Sequence, residues 1–404
     1  MTKRIVVTGI GAISSAGTGV DAFWDALVGA SHEPQFPVRF DTQALDSRRA
    51  HEVREIERTA LPVRKVAGER GMQFAVACAY LALNDAKLEF DALDPERVGV
   101  VYGSTLEAVR ALTEFHRRVS KEGPRCADPG LFPNTGMSAA ACQVSISLGY
   151  RAFNTTISNG ATAGLDAIIY GYNMLLADRA DFVIAGGVYP LCYESFLAYM
   201  LAGLLSRGDS GIARPFDAQR CGTVLGEGGA ALLLETYESA MARGVKPLAE
   251  IKGGASVFDP TTKPGYGLQA GGATAAMQDA LERSSLSVKE IDLVVANASG
   301  DRAADCMESR ALLNVFGKSD VPAVTAPKAT IGECLSASGA FHVAAAALAL
   351  SRSTIPATMN FEAPGKGCRI EPIRQTVRND SLRNAIVNSY GYLGINTSLV
   401  LAAA

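Results

Sequence analysis

The chain contains two similar series of short β-rich runs, separated by stretches of helical periodicity. The first series lies at residues 5–7, 98–101, 181–184 and 231–235, and the second at 248–251, 291–295, 321–324, 385–388 and 398–401. Between them, apolar residues recur with the helical period at 72–84, 164–176, 274–282 and 340–351. Strands that alternate with helices form mixed or parallel sheets covered by helices. The similar order and spacing of the two series predicts an internal duplication.

The junction between the two predicted halves falls near residues 236–250. No linker rich in proline or serine lies there, so we predict one tightly fused unit, with an N-terminal half over 1–240 and a C-terminal half over 241–404. The length of 404 residues and the 48% apolar content fit one large or two fused domains, and they exclude a disordered chain.

The charge and the apolar runs restrict the classes of partner. The 38 Lys and Arg residues against 41 Asp and Glu residues give a net charge of −3, which favours neither nucleic acid nor an anionic membrane. No run reaches the roughly 18 consecutive apolar residues of a membrane-spanning helix. We therefore expect a soluble protein that binds neither nucleic acid nor membrane.

The cysteines and glycines argue against a bound group. The eight cysteines form no CxxC pair, and no histidine lies at ligand spacing, so we expect no metal site, no disulfide framework and a reducing cytoplasm. Gly9 and Gly11 follow the first strand like the start of a dinucleotide fingerprint, but Ser14 interrupts the pattern. We expect no cofactor.

The segment 154–167 runs from β-like residues through small residues into a helix. Its stretch SNGATAGLD at 158–166 resembles the nucleophile segment of β-ketoacyl-acyl-carrier-protein synthases, where the pattern is Ser-Thr-Gly-Cys-Thr-Ser-Gly-Leu-Asp. Ala161 stands where the family has its cysteine. A thiol at a helix N-terminus is a good nucleophile, because the backbone N–H groups and the helix dipole stabilise the thiolate. The methyl group of Ala161 cannot attack a thioester.

The resemblance extends over essentially the whole chain. It includes the start KRIVVTGIGAISS at 3–15, RPFD at 214–217, LGEG at 225–228 and NSYGYLGIN at 388–396. The family implies an α/β thiolase fold, in which two βαβαβαββ halves form a five-layered αβαβα sandwich and pair as dimers. That architecture agrees with the predicted duplication.

Two catalytic histidines of the family are replaced in this chain. Ser299 in NASGD at 297–301 occupies the first position, and Glu333 in KATIGE at 328–333 occupies the second, so the resemblance implies no catalytic residue at Ala161, Ser299 or Glu333. Lys328 and Glu308 are retained. We expect these two to form a buried ion pair, because a solitary buried charge costs several kcal/mol.

A synthase-like chain without its nucleophile resembles the chain-length factor subunit of type II polyketide synthases and of related aryl-polyene systems. The resemblance implies a heterodimer with an active ketosynthase that supplies the cysteine and histidines. This subunit would complete the interface and wall the tunnel for the growing polyketide or polyene chain, which an acyl carrier protein carries.

The resemblance also suggests which residues shape the tunnel. In chain-length factors the gate lies on an interface helix before a Glu-Gly-Pro turn, here at 122–124. Counting back gives Val109, Leu112 and His116 at i, i+3 and i+7 on one helix face, which could equally pack on its own subunit. Tyr392 replaces a gating phenylalanine, and its apolar loop predicts a closed pocket.

Two alternatives remain open at this stage. One is an autonomous acyltransferase or decarboxylase of the same fold that uses Ser158, Thr162 or Cys334 as the acyl acceptor. The other is a non-catalytic homodimer that binds an acyl chain or a carrier protein. All four histidines, which are His32, His51, His116 and His342, lie outside the family's catalytic positions.

Overall fold

The computed structural model describes residues 3–30, 32–62, 66, 68–208, 211–261 and 265–404. Its strands are β1 (Ile5–Ser14), β2 (Gly17–Thr18), β3 (Val98–Gly103), β4 (Asn154–Ile157), β5 (Phe182–Tyr189), β6 (Gly228–Thr236), β7 (Ala249–Phe258), β8 (Leu293–Val295), β9 (Ala323–Thr325), β10 (Thr354–Ile355), β11 (Val377–Arg378), β12 (Asn384–Tyr390) and β13 (Ile395–Ala402). Its α-helices are α1 (Val20–Gly29), α2 (Arg70–Asp85), α3 (Val109–Glu122), α4 (Ala139–Leu148), α5 (Ala163–Leu176), α6 (Tyr193–Leu201), α7 (Tyr237–Ala242), α8 (Gly271–Ser284), α9 (Arg302–Phe316), α10 (Lys328–Ile331) and α11 (Ser338–Arg352).

The main sheet repeats one strand order in its two halves. Within the described residues its path is β4-β3-β5-β6-β1-β7-β13-β12-β8-β9, with β2 paired to β1 beside it. From the middle outward, each half runs first, fifth, fourth, second and third in chain order. In both halves the outer pairs are parallel, as in β3–β4 and β8–β9, and the last two strands are antiparallel, as in β5–β6 and β12–β13. The duplication predicted from the sequence is confirmed.

The two halves of the sheet join through β1 and β7. These strands pair antiparallel over three residue pairs, from Ile5 with Ile251 to Val7 with Ala249. The Arg4 side chain donates to Glu250 on β7 over 2.6 Å, next to this join. The hydrogen bonds of one sheet therefore continue from one half into the other.

Helices cover both faces of each half-sheet. Helix α2 packs on β1 and β6 and contacts α4 on one outer side, and α8 packs on β7 and β13 and contacts α9 on the other. Between the half-sheets, α5 packs on β5, α11 packs on β12, and the two helices contact each other. The order is αβαβα, as the resemblance implied. Helix α11 is buried from Ser338 to Leu350 because it lies between the two halves of the main sheet, and its alanine-rich sequence fits that position.

The predicted elements lie where the two series of runs placed them. Helix α5 covers 163–176, against 164–176 expected from periodicity, and α11 covers 338–352, against 340–351. Helix α3 ends at Glu122, before Gly123 with a φ of 93°, in agreement with the expected Glu-Gly-Pro turn. In the part of the chain that the structure describes, no helix combines the length and the apolar character needed to cross a membrane.

Candidate functional site

The segment around Ala161 turns from a strand directly into a helix. Strand β4 ends at Ile157, a 3-10 helix covers Gly160–Thr162, and α5 follows at Ala163. Asp166 in the first turn of α5 holds this turn together, because it accepts hydrogen bonds from Thr162 Oγ1 at 2.8 Å and Asn159 Nδ2 at 3.1 Å. An acidic residue at this place also complements the positive end of the helix dipole. Ala161 thus lies beside a helix N-terminus.

The C-terminal half fixes the same segment from the other side. The Ser389 hydroxyl at the end of β12 donates to the Ala161 carbonyl oxygen at 3.1 Å. The Thr397 hydroxyl on β13 donates to Asp166 Oδ1 at 2.8 Å. Residues from both halves therefore position the turn that carries Ala161.

A cavity of about 480 Å³ opens beside this turn. It brings together Ala161, Ser299 and Glu333, the three positions that the resemblance marks as replaced, and Tyr392. Its walls also include the apolar and aromatic side chains of Ala198, Tyr199, Ala202, Leu204, Tyr266, Leu335, Leu393 and Ile395. The expectation of a closed pocket is wrong. The cavity stays open because the Tyr392 ring does not fill it. That ring packs edge-on against the Tyr266 ring, with the two centroids 5.7 Å apart.

Ser299 lies in the loop between β8 and α9, and a buried carboxyl holds that loop. Asp305 Oδ1 accepts hydrogen bonds from the backbone N–H groups of Ser299 at 3.1 Å and Gly300 at 3.3 Å. Asp305 Oδ2 accepts from the Phe216 N–H at 2.7 Å. Burial raises the pKa of the Asp305 carboxyl to about 7. The loop conformation thus depends on a carboxyl beneath the cavity.

Glu333 is the ion-pair partner of Lys328. Lys328 Nζ, which is fully buried, donates to Glu333 Oε2 at 2.6 Å and to Asn297 Oδ1 at 2.7 Å. The other oxygen, Glu333 Oε1, accepts from the Leu335 N–H at 3.0 Å and the Ser338 hydroxyl at 2.8 Å. Each oxygen of the Glu333 carboxylate is therefore already a hydrogen-bond acceptor.

The expected ion pair between Glu308 and Lys328 is wrong. Glu308 Oε1 instead accepts from the Asn297 N–H at 2.9 Å and from Asn388 Nδ2 at 3.3 Å. Glu308 Oε2 is buried and has no hydrogen-bond partner. Because burial outweighs these hydrogen bonds, the pKa of Glu308 is raised to about 7. Asn297 lies between the two groups and contacts the lysine with its side chain and the glutamate with its backbone.

The candidates for a relocated nucleophile have different surroundings. Cys334 is fully buried below the cavity wall, and burial raises the pKa of its thiol well above the usual range. The Thr162 hydroxyl is buried and bonded within its own turn. Ser158 does line the cavity, and its hydroxyl is exposed. The hydrogen-bond partner of that hydroxyl is Met137 Sδ at 3.4 Å, and a thioether cannot act as a general base.

The histidines lie away from the cavity. His342 is buried on α11 with Nδ1 3.0 Å from the Asn388 carbonyl oxygen, and burial lowers its pKa to about 3. Among the described residues no histidine lines the cavity. A general base in the form of an imidazole is therefore missing from this part of the structure.

The tunnel candidates divide into two groups. Tyr392 lines the cavity, whereas Val109, Leu112 and His116 on α3 do not. On α3, Val109 is half-buried, His116 is exposed, and Leu112 exposes 53% of its surface. That these three face a tunnel shared with a partner stays a prediction.

Several residues at the site were not anticipated from the sequence. Asn297 bridges Lys328 and Glu308, Ser338 supports Glu333, and Ser389 holds the Ala161 turn. Asn297 and Ser389 lie inside the quoted motifs, so their position could have marked them. Tyr266 belongs to no motif, and only the fold brings it to the cavity.

Comparison with known proteins gives the class of this chain. Residues 2–240 match the beta-ketoacyl synthase N-terminal domain, and residues 248–362 match the beta-ketoacyl synthase C-terminal domain. The chain therefore belongs to the β-ketoacyl synthase family.

Individual relatives are found among polyketide synthases. A putative polyketide beta-ketoacyl synthase 1 from Streptomyces cyaneus is 32% identical over 415 residues, which cover 99% of this chain and 98% of the relative. The structure of the ishigamide ketosynthase/chain length factor matches with a TM-score of 0.92 at 28% identity, covering 100% of both chains. A second structure, AntDE:AntF, contains a type II PKS acyl-carrier protein in complex with its ketosynthase bound to the hexaketide. It matches with a TM-score of 0.91 at 26% identity, again covering 100% of both chains. The chain is similar to type II polyketide ketosynthases and chain length factors, and it has their thiolase fold.

Proposed function

We propose that this chain is a catalytically degenerate ketosynthase-like subunit, a chain-length factor, that pairs with an active β-ketoacyl-acyl-carrier-protein synthase. The observation that carries the proposal is that Ala161, Ser299 and Glu333 line one cavity. The three residues that the resemblance assigns to thioester attack and carbonyl polarisation thus share one cavity, and each differs in chemistry from its counterpart in the family.

The hydrogen bonds of Glu333 support the loss of catalysis. Decarboxylation of a malonyl thioester requires donors that stabilise the developing enolate oxygen. The Glu333 carboxylate accepts from Lys328, Leu335 and Ser338, so it offers acceptors where a donor is needed. A negative carboxylate would repel an enolate.

The surface of α3 and the known relatives support a partner. Leu112 is a large apolar side chain with 53% exposure, and the other exposed residues of α3 are polar. One structural relative is a ketosynthase/chain length factor, and another holds an acyl-carrier protein in complex with its ketosynthase. By analogy, we propose that the active synthase covers α3 and that the complex takes its growing chain from an acyl carrier protein in the cytoplasm. We also propose that residues 1–240 and 241–404 form the two halves of the fold.

Two measurements test the proposal. The purified single chain is incubated with acyl and malonyl thioesters, and intact-protein mass spectrometry is expected to find no covalent adduct. The chain is then co-expressed with the candidate synthase, and light scattering is expected to find a 1:1 complex. In a product assay, this complex is expected to make long-chain product only when a carrier protein is present.

The alternatives predict other results. An adduct on the isolated chain, mapped to Ser158, Thr162 or Cys334, would replace the proposal by an autonomous acyltransferase or decarboxylase. A stable homodimer that binds acylated carrier protein without any synthase would replace it by a non-catalytic binder. Of these three acyl-acceptor candidates, Ser158 lines the same cavity as Ala161.

A further inference from the structure

Two free cysteines of the C-terminal half lie on neighbouring segments away from the cavity. Cys306 is on α9, and Cys368 is in the connection between β10 and β11. This connection runs along α9, because Cys306 Sγ donates to the Lys366 carbonyl oxygen at 3.3 Å and the Arg369 N–H donates to Ser309 Oγ at 2.9 Å. The Cys306 sulfur therefore lies against the backbone next to Cys368.

Gly367 permits this close approach. Its φ of 84° lies in the left-handed region, and a Cβ at this position would lie 2.6 Å from Cys306 Sγ. The glycine therefore keeps the space around the Cys306 sulfur free of another side chain. No residue is interposed between the α9 thiol and the chain segment that carries Cys368.

A buried arginine gives the pair an electrostatic asymmetry. Arg220 Nη2 lies 3.2 Å from Cys306 Sγ and donates to the Lys366 carbonyl oxygen at 2.9 Å. The Cys306 sulfur therefore lies beside a fixed positive charge. Cys306 is half-buried and reachable, whereas Cys368 is 6% exposed, and burial raises the pKa of its thiol. Cys306 is thus the attacking residue and Cys368 the resolving one.

We propose that Cys306 and Cys368 form a reversible, peroxide-sensitive disulfide. The Cys306 thiolate attacks one oxygen of a hydroperoxide, the O–O bond breaks, and the sulfur becomes a sulfenic acid as hydroxide or alkoxide leaves. The Cys368 sulfur then attacks the sulfenic sulfur, its proton passes to the leaving hydroxide, and water departs. Two thiols are oxidised and one peroxide is reduced. This proposal does not rest on the proposed function.

The position of the pair connects it to the cavity loop. Cys306 is adjacent in sequence to Asp305, which holds the N–H groups of Ser299 and Gly300. Arg220 Nε lies 3.9 Å from Asp305 Oδ2 while its Nη2 contacts the Cys306 sulfur. A disulfide has no S–H group and cannot carry a thiolate charge, so oxidation changes the contact of Arg220 with the Cys306 sulfur. Because Arg220 also faces Asp305, we infer that oxidation changes the hold of Asp305 on the loop.

Peptide mapping of the full chain tests the disulfide. The protein is treated with hydrogen peroxide, free thiols are blocked, and trypsin digestion is performed without reductant. Cleavage at Arg302, Arg310, Lys366 and Arg369 releases the peptides 303–310 and 367–369. We expect these two peptides as one linked species with two hydrogens fewer than their sum, and dithiothreitol is expected to separate them.

Matched variants complete the test. Cys306→Ser and Cys368→Ser are each expected to abolish the link, while Cys221→Ser, which removes an exposed cysteine, is expected to retain it. If the wild-type protein oxidises Cys221 but leaves 303–310 and 367–369 unlinked, or links Cys306 elsewhere, the disulfide proposal is wrong. Hydrogen exchange of 297–302 is expected to change on oxidation and to revert on reduction, and an unchanged exchange would remove the connection to the cavity.

Discussion

Lys328 Nζ lies 2.6 Å from Glu333 Oε2, and the lysine side chain of this pair is fully buried. The resemblance places Glu333 where the synthase family uses a neutral donor, and it marks Lys328 as a retained residue. Under the proposed function the substitution does more than delete a donor, because the glutamate also pairs with this lysine in the cavity wall. The pair makes this part of the site structural.

Breaking this ion pair is expected to destabilise the protein strongly. Glu333→Ala leaves a charged, buried Lys328, and removal of one partner of a buried pair costs about 3–5 kcal/mol. Lys328→Met with Glu333→Leu removes both charges and is expected to cost far less. Urea unfolding of the two variants measures the difference. Asp380→Ala, which breaks the exposed pair with Arg378, is the surface control and is expected to cost less than about 1 kcal/mol.

Ala161→Cys alone is expected not to restore condensation. The new thiol would lie beside the N-terminus of α5, but the decarboxylation step would still lack both donors. Loss of one such donor lowers the rate about 10²–10³-fold. Malonyl decarboxylation and product formation are measured by mass spectrometry, with Ala161→Ser as the isosteric control. Condensation by the single variant would mean that Ser299 or Glu333 acts as a donor after all.

The stability of the protein is expected to depend on Glu308 between pH 4.5 and pH 7. Burial raises the pKa of Glu308 from 4.5 to about 7, so the folded chain retains a proton that the unfolded chain releases in this range. The carboxyl therefore lowers stability as the pH rises. Glu308→Gln removes this penalty and is expected to gain about 3 kcal/mol relative to the parent between pH 4.5 and pH 8.

Urea unfolding at several pH values measures this effect. The exposed Glu371→Gln serves as the matched carboxyl control, because its side chain lies in solvent beside Arg374. A difference between Glu308→Gln and the parent that stays constant with pH would contradict the assignment of the shift to burial of this carboxyl.

Product length is expected to follow side-chain volume on α3. If Val109 and Leu112 face the tunnel of the proposed heterodimer, Val109→Trp shortens the product and Leu112→Ala lengthens it, because extra atoms in a filled space cost about 1–3 kcal/mol. Mass spectrometry of products from the reconstituted complex measures both shifts. Glu114→Ala on the same helix is the control. Unchanged products from folded complexes would show that these residues only pack on their own subunit.

The sequence predicted the strands and long helices well, because the spacing of apolar residues and the residue types indicate the same secondary structure in each element. The segment 340–350 is apolar except for His342, and α11 is buried from Ser338 to Leu350, so composition alone marked it. The Ala161 turn was located because small residues followed a β-like run. The cavity that unites Ala161, Ser299 and Glu333 depended on the resemblance, since these positions are far apart in the chain.

The partner of Lys328 was not predictable in the same way. Lys328 is the first residue of the short helix α10, and Gly332, whose φ is 80°, ends that helix just before Glu333. This helix end brings the two side chains together, and no periodic pattern encodes it. Glu308 was a plausible partner by type, but backbone and amide N–H groups already occupy one of its oxygens.

The pairing of β1 with β7 also has a consequence for how the chain is assembled during synthesis. After β6 has paired with one edge of β1, the other edge remains uncovered, and an uncovered strand edge attracts other chains. The next strand to leave the ribosome is β7, at Ala249–Phe258, and it pairs with that open edge along Ile5, Val6 and Val7. Strand β7 thus covers this edge of the N-terminal half before β12 and β13 exist, and its own outer edge stays open until β13 pairs with it.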